Sequence, residues 1–165
     1  MAPAADHKNS QQAMDETFLL TNVSPQVGIG FNQHYWARIE GMFRKMLTAK
    51  PKENLGIHII TGTLFLPNFT DEQGHLFVTY QVIGENNVAV PTHFYKIILI
   101  EKYNGSLEGY ALLAPNEYID GKTPISEFAT SVSEIERLTG LIFFDQLSRE
   151  HPPRIDKNLA RVLTG

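Results

Sequence analysis

The sequence predicts an α+β fold in which helices flank a mainly antiparallel central sheet. Two observations predict this class. Short runs rich in β-branched and aromatic residues alternate with turn-forming segments such as "PNFTDEQG" and "YNGS". Two other segments carry apolar residues at the spacing of an amphipathic helix. The 165 residues are enough for one domain with a hydrophobic core of its own.

Five segments have the composition of strands. We expect strands at residues 17–23, 57–66, 76–83, 92–101 and 108–114. The first, "TFLLTNV", has the pattern of a short buried strand that ends at the turn residues of "SPQVGIG". Because turns join the other four in sequence, those four should pair as an antiparallel sheet.

The helical pattern covers about Phe31 to Leu47 and returns within "PISEFATSVSEIERLTGLIFF". Ser131 or Ser133 is suited to cap the start of the second helix, and Gly140 to cap its end. We therefore place one domain at residues 1–147. The tail at 148–165, which contains "HPP", is compatible with a short helix.

Composition excludes several classes of function. The sequence has no cysteine, so disulfides, zinc fingers, iron–sulfur clusters and thiol nucleophiles are excluded. The net charge of −4 argues mildly against indiscriminate binding to polyanions. Basic residues do gather in "RIEGMFRKMLTAKPK", although a solvated helix face is the simpler interpretation. We expect no transmembrane segment and no targeting segment in the sequence as written.

The helix that begins near Phe31 carries an amide where its pattern calls for a hydrophobe. At about 100° per residue, Ile39 and Phe43 fall within about 20° of Asn32, which is therefore expected at the centre of the apolar stripe. A buried amide without a partner costs about 1–3 kcal/mol, so something should satisfy it. The amide either bonds the backbone at the helix start or binds a ligand.

Two charged residues flank the same stripe. Glu40 lies about 80° and Arg44 about 120° around the helix from Asn32. An amide, a carboxylate and a guanidinium on one side of a helix can hold a hydrated Mg²⁺ ion and a phosphate. The alternative is a simple ion pair between Glu40 and Arg44 at i,i+4 spacing. Geometry alone leaves both interpretations open.

Six segments, in order, carry a resemblance to a known family. They are "AMDETFLLTNVSPQ", "GFNQHYWARIE", "TGTLFLP", "YQVIGENNVAVPTHFYKIIL", "LLAPN" and "EIERLTGLIFF". Together they resemble the DNA/RNA non-specific endonucleases with a ββα-metal site, and within them the eukaryotic mitochondrial endonuclease G branch. The resemblance extends from residue 1 to about residue 147.

The resemblance implies an enzyme that uses Mg²⁺, with Mn²⁺ as an alternative ion, to hydrolyse phosphodiester bonds in DNA and RNA. By that resemblance Asn32 is the metal ligand and Glu40 holds the metal's waters. Arg44 would face the scissile phosphate, and Asn22 would be a supporting amide near the site. The same branch implies a homodimer and a mitochondrial location.

One part of the family pattern is missing from this sequence. The family's general base is the histidine of an Asp-Arg-Gly-His motif, and Met1 occupies the position just after it. None of the six histidines matches that position; they are His7, His34, His58, His75, His93 and His151. We therefore expect a nuclease core that lacks its N-terminal strands and is weakly active or inactive. A non-catalytic module for nucleic-acid binding or dimerisation is the alternative, and a generic α+β ligand-binding domain is a third.

Overall fold

The computed structural model describes residues 1–49, 52–144 and 154–155. The helices within these residues are α1 (Gln11–Glu16), α2 (Ala37–Ala49) and α3 (Val132–Thr139). A π-helical segment, Gly28–Trp36, runs directly into α2. Short 3₁₀ turns occur at Ala4–Asp6, Leu20–Asn22 and Ile125–Phe128.

The strands are β1 (Asn54–Leu64), β2 (Phe69–Thr70), β3 (Leu76–Phe77), β4 (Val82–Ile83), β5 (Val88–Ala89), β6 (His93–Lys102), β7 (Leu107–Pro115), β8 (Ala129–Thr130) and β9 (Arg154–Ile155). The central sheet has the order β1-β6-β7-β8 with antiparallel pairs, and β9 adds a parallel pair to β7. The pairs β2–β3 and β4–β5 form two separate small hairpins. The predicted α+β class with a mainly antiparallel sheet is confirmed.

Several predicted elements are also confirmed. The three long strands cover the predicted segments 57–66, 92–101 and 108–114 to within a few residues. The predicted helix at about 31–47 lies in the π segment and α2. Ser131 caps α3 by accepting a hydrogen bond from the Glu134 N–H, and Gly140 ends that helix in the left-handed conformation.

The predicted strand at 17–23 is wrong. This segment is a tight turn followed by a 3₁₀ turn, and its backbone bonds are local: the Asn22 N–H donates to the Leu19 carbonyl at 2.8 Å. Its large apolar side chains are exposed, among them Phe18, Leu19 and Leu20. Local hydrogen bonds satisfy the backbone N–H and carbonyl groups of this segment. Its apolar composition alone therefore did not produce a strand.

The predicted strand at 76–83 is wrong as a member of the central sheet. Its residues divide between β3 and β4, which belong to different hairpins. Asn68 interrupts the run, because its side chain accepts from the Thr79 N–H and donates to the Thr79 carbonyl, both at 2.8 Å. A side chain thus replaces the neighbouring strand at that point. The short helix considered for the tail falls outside the described residues, apart from Arg154–Ile155, which form a strand.

The core lies on both faces of β6 and β7. Alternate residues of β6, including Phe94 and Ile98, face the π segment and α2, while Tyr95 and Ile97 face α3. On the first face Phe31, Trp36 and Phe94 form an aromatic cluster with ring centroids 5.3–5.8 Å apart. This packing fixes the position and rotation of the helix that carries the candidate site residues.

A glycine sets the start of that helix. Gly30 has φ of +89°, and Ile29 beside it is also non-helical, so the regular turns begin at Phe31. A Cβ at Gly30 would lie 2.3 Å from the ring of Tyr118. Both the backbone conformation and the close approach of the ring therefore require glycine at this position.

No helix in the described part of the chain is both long enough and apolar enough to cross a membrane.

We expect Gly30→Ala to destabilise the fold by about 1–3 kcal/mol, because alanine is strained at positive φ and its methyl would collide with Tyr118. Gly28→Ala is the matched control, since nothing lies within 4 Å of a Cβ built there and its φ is not positive. Urea unfolding of both variants measures the difference. Equal stabilities would contradict the role assigned to Gly30.

Candidate active site

A cleft of about 520 Å³ lies where the N-terminal residues cross the start of the long helix. One wall is residues 1–5. The opposite wall is one face of the helix, with Asn32, Trp36 and Glu40 spaced four residues apart. The floor and rim come from the segment around Asn22; the lining residues there are Thr17, Phe18, Asn22, Val23, Ser24 and Gln26.

Asn32 is exposed, which corrects the prediction that it is buried in the apolar stripe. The helix does direct it to the same side as Trp36, but the cleft rather than the sheet lies opposite it. Asn32 is also not a cap, because it lies inside the π segment, where its N–H donates to the Val27 carbonyl at 2.9 Å. Its side-chain amide has no hydrogen-bond partner among the described residues, so its oxygen is available to a ligand.

Glu40 lies two turns further along the same wall and is half-buried. Burial raises the pKa of its carboxyl, and the nearby Lys96 ammonium acts in the opposite direction. Asp6 raises this pKa further, while Arg44 and the N-terminal ammonium lower it. Its carboxylate makes no ion pair within the described residues. The carboxylate therefore faces the cleft in a field of mixed charges.

Arg44 pairs with Asp6 rather than with Glu40. Its guanidinium donates to the Asp6 carboxylate at 2.6 Å, with both side chains partly exposed. Within the described residues no ion pair joins Glu40 to Arg44, so the simple i,i+4 interpretation is wrong. The Asp6 contact ties α2 to the N-terminal wall of the cleft.

Both polar atoms of the Asn22 side chain form hydrogen bonds with backbone groups. Its oxygen accepts from the Ala2 N–H at 2.7 Å, and its nitrogen donates to the carbonyls of Ala2 and Thr17, both at 2.8 Å. Asn22 thus fastens the N-terminal segment against the cleft. With these atoms engaged, it supports the site and is not free to hold a ligand itself.

Three residues near the site were not predicted from the sequence: Asn116, Asp6 and Lys96. Asn116 accepts from the Val27 N–H at 2.9 Å and donates to the carbonyls of Pro25 and Pro91, so it holds the loop that leads into the helix. The polar residue at the end of the apolar run "LLAPN" was the available signal. For Lys96 the signal was a charge inside "FYKIIL".

The cleft presents oxygen donors of the kind that a divalent metal ion takes. Mg²⁺ prefers oxygen ligands, keeps several waters and is held by few protein groups. Asn32 supplies a free amide oxygen, and Glu40 supplies a carboxylate on the same open, water-accessible wall. No group of three or more His, Cys, Asp or Glu suited to a metal occurs in the described residues.

None of the five histidines in the described ranges lines the cleft. His34 accepts from the Gly30 N–H at 3.0 Å, and His75 contacts Asp71 at 2.8 Å. His58 lies 3.6 Å from Glu101 on the central sheet, away from the cleft wall. These three histidines therefore make their contacts outside the lining of the cleft.

The fold and the cleft together describe an α+β protein with an open, oxygen-rich polar site on a helix. The family model for DNA/RNA non-specific endonucleases matches residues 1–150. The chain therefore belongs to the DNA/RNA non-specific endonuclease family, as the resemblance implied.

Relatives agree with this assignment. Nuclease C1 of Cunninghamella echinulata var. echinulata is 48% identical over 147 residues, covering 89% of this chain and 56% of the relative. Mitochondrial endonuclease G of Homo sapiens is 41% identical, covering 87% and 46%. The mitochondrial nuclease of Saccharomyces cerevisiae is 43% identical, covering 97% and 48%. The chain thus spans about half the length of the curated relatives it matches.

A solved structure also matches. The crystal structure of the EndoG/EndoGI complex, which concerns the mechanism of EndoG inhibition, superposes with a TM-score of 0.80 at 41% identity. The match covers 92% of this chain and 60% of that chain. The likeness to the endonuclease G branch is therefore confirmed in both sequence and fold.

We expect Asn22→Ala to loosen the N-terminal wall, because it removes three hydrogen bonds to backbone. The free energy of unfolding should fall by about 1–3 kcal/mol. Hydrogen exchange of the peptide that contains Ala2 should accelerate. Asn104→Ala is the control, since Asn104 also holds backbone, at Ser106 in the distant β6–β7 turn. Unchanged exchange at Ala2 would contradict the role of Asn22.

Proposed function

We propose that this chain carries the metal and phosphate side of the active site of a Mg²⁺-dependent endonuclease that hydrolyses phosphodiester bonds in DNA and RNA. One observation carries the proposal. The free amide of Asn32 and the carboxylate of Glu40 lie on one wall of a single cleft. Mn²⁺ is a reasonable alternative ion, because it shares the preference for oxygen ligands.

Asn32 and Glu40 have different tasks in this proposal. The Asn32 oxygen would hold the ion directly, and the Glu40 carboxylate would accept hydrogen bonds from the ion's waters. When bound, Mg²⁺ offsets negative charge on the phosphate and on the leaving oxygen. Trp36 lies between the two residues and keeps their spacing by packing into the core.

Arg44 is suited to face the scissile phosphate. Its bond to Asp6 holds the guanidinium near the cleft, and a guanidinium can pair with phosphate through two parallel hydrogen bonds. Asp6 also balances its charge while no phosphate is bound. Binding of a phosphate would therefore compete with Asp6 or share Arg44 with it.

The general base is expected in an Asp-Arg-Gly-His motif that precedes Met1 in the family pattern. Met1 lines the cleft, and its amino nitrogen lies 3.5 Å from the Thr61 carbonyl oxygen. Residues joined before Met1 would start from the cleft wall, where a base is needed to take a proton from water. By this account residues 1–165 alone cleave weakly or not at all.

Two further properties are inferred from relatives. Several are named as mitochondrial enzymes, which supports a mitochondrial location for the full protein. A homodimer is the assembly that the endonuclease G branch implies. Nucleic acid is the expected substrate, without preference for base sequence, because the site is directed at the phosphate.

We expect Asn32→Ala, in a version extended upstream through the Asp-Arg-Gly-His motif, to lose nearly all cleavage of plasmid DNA with Mg²⁺. Stability should stay within about 0.5 kcal/mol, because the side chain is exposed and bonds no described residue. Gln33→Ala is the matched control, an exposed amide on the same helix that does not line the cleft. Gel assays and thermal unfolding measure both quantities. Full activity in Asn32→Ala would overturn the metal assignment.

We expect residues 1–165 to cleave plasmid DNA at least about 10²-fold more slowly than the extended version, because only the latter supplies the base. Both proteins should be compared at equal folded concentration in the same Mg²⁺ buffer. Comparable rates would mean that a residue within the chain supplies the base, and His7, the histidine nearest the N-terminal wall, would be tested next. DNA binding without cleavage in both proteins would favour the non-catalytic module.

A further inference from the structure

A lysine is buried directly behind the cleft wall. Lys96 lies in the middle of β6, on the face whose other residues, such as Phe94 and Ile98, form the core under the helix. It is only 2% exposed. Its ammonium donates to the Thr61 hydroxyl of the neighbouring strand at 2.8 Å and lies 5.0 Å from the centre of the Trp36 ring.

The fold does not need a charge at this position. Burial lowers the pKa of Lys96, so the ammonium is destabilised by its surroundings. No carboxylate lies within ion-pair distance of it in the described residues. A hydrophobic side chain of similar length generally packs at least as stably as a buried charged group. A buried cation that lowers the stability of the fold indicates that Lys96 has a function at the neighbouring cleft.

The ammonium is linked to the cleft through Trp36 and Glu40. Trp36 presents its ring to Lys96 and also lines the cleft between Asn32 and Glu40. A cation over an indole face is attracted to the ring, and more strongly when it is desolvated, so the orientation of the ring is coupled to the charge. Lys96 is also the cation that acts most strongly on the Glu40 carboxylate.

We propose that Lys96 is a positioning residue for the metal side of the cleft. Its buried ammonium orients Trp36 from behind and balances the Glu40 carboxylate, so that Asn32 and Glu40 keep the spacing that a hydrated ion requires. This inference rests on the proposed metal site. Lys96 itself does not line the cleft, whereas Trp36, whose ring it faces, does.

If Lys96 acted on the site only through its charge and did not position the ligands, its removal would have the opposite effect on metal affinity. A buried cation near a metal site repels the metal, so removing it should tighten metal binding or leave it unchanged. If the lysine positions the ligands, removing it should weaken binding, since groups that orient metal ligands typically contribute about 10–100-fold in affinity. The sign of the change therefore distinguishes the two roles.

Trp36 provides the measurement, because it is the single tryptophan of the chain. Mn²⁺ is titrated into residues 1–165, and quenching of Trp36 fluorescence reports ion binding in the cleft. Lys96→Met should weaken Mn²⁺ binding by about tenfold while the melting temperature stays equal or rises. Lys96→Arg keeps the charge and should recover at least part of the affinity. Thr61→Val, which removes the hydrogen bond to the ammonium, should weaken binding by a smaller factor.

Lys102→Met is the matched control, because Lys102 is on the same strand but pairs with Glu108 away from the cleft. It should bind Mn²⁺ as the unaltered chain does. Equal or tighter binding by Lys96→Met would overturn the positioning role. Unchanged Mn²⁺ binding by Asn32→Ala would instead overturn the proposed metal site, so the two failures can be told apart.

Discussion

The packing of one helix face onto strands β6 and β7 determines where the candidate site residues Asn32, Glu40 and Arg44 lie. Phe31, Trp36, Ile39 and Phe43 are almost fully buried against this sheet, which fixes the helix in both position and rotation. Burying side chains of this size contributes about 1.5–3 kcal/mol each, so the helix cannot rotate without a large loss of stability. The directions in which the Asn32 and Glu40 side chains leave the helix are therefore fixed. Both residues lie on the side of the helix that lines the cleft.

The second wall of the cleft depends on polar contacts. The N-terminal residues carry few buried apolar groups, and side-chain bonds fasten them: Asn22 holds Ala2, and Arg44 holds Asp6. Exposed bonds of this kind are individually weak. One wall is therefore held by core packing, and the other by weaker polar bonds.

The sequence predicted the parts held by core packing better than those held by polar bonds. The long strands and the main helix were found because their apolar periods extend over many residues. The segment "TFLLTNV" was wrongly predicted as a strand because it has the composition of one. In the structure, local turns and the Asn22 side chain form hydrogen bonds with its backbone. A helical wheel gave the correct direction for Asn32 but not its exposure, because a wheel does not show whether a sheet or a cleft lies opposite. Helical spacing singled out Asn32, Glu40 and Arg44 as candidates, and the family resemblance implied their roles and added Asn22. Asp6 and Lys96 required the three-dimensional packing.

The most direct test is to locate the ion itself. Crystals of the chain grown with Mn²⁺ can be measured at a wavelength where manganese scatters anomalously. The account predicts one strong peak in the cleft, about 2.0–2.2 Å from the Asn32 side-chain oxygen, with Glu40 reaching the ion only through water. A peak bound directly by other side chains, or one outside the cleft, would contradict it.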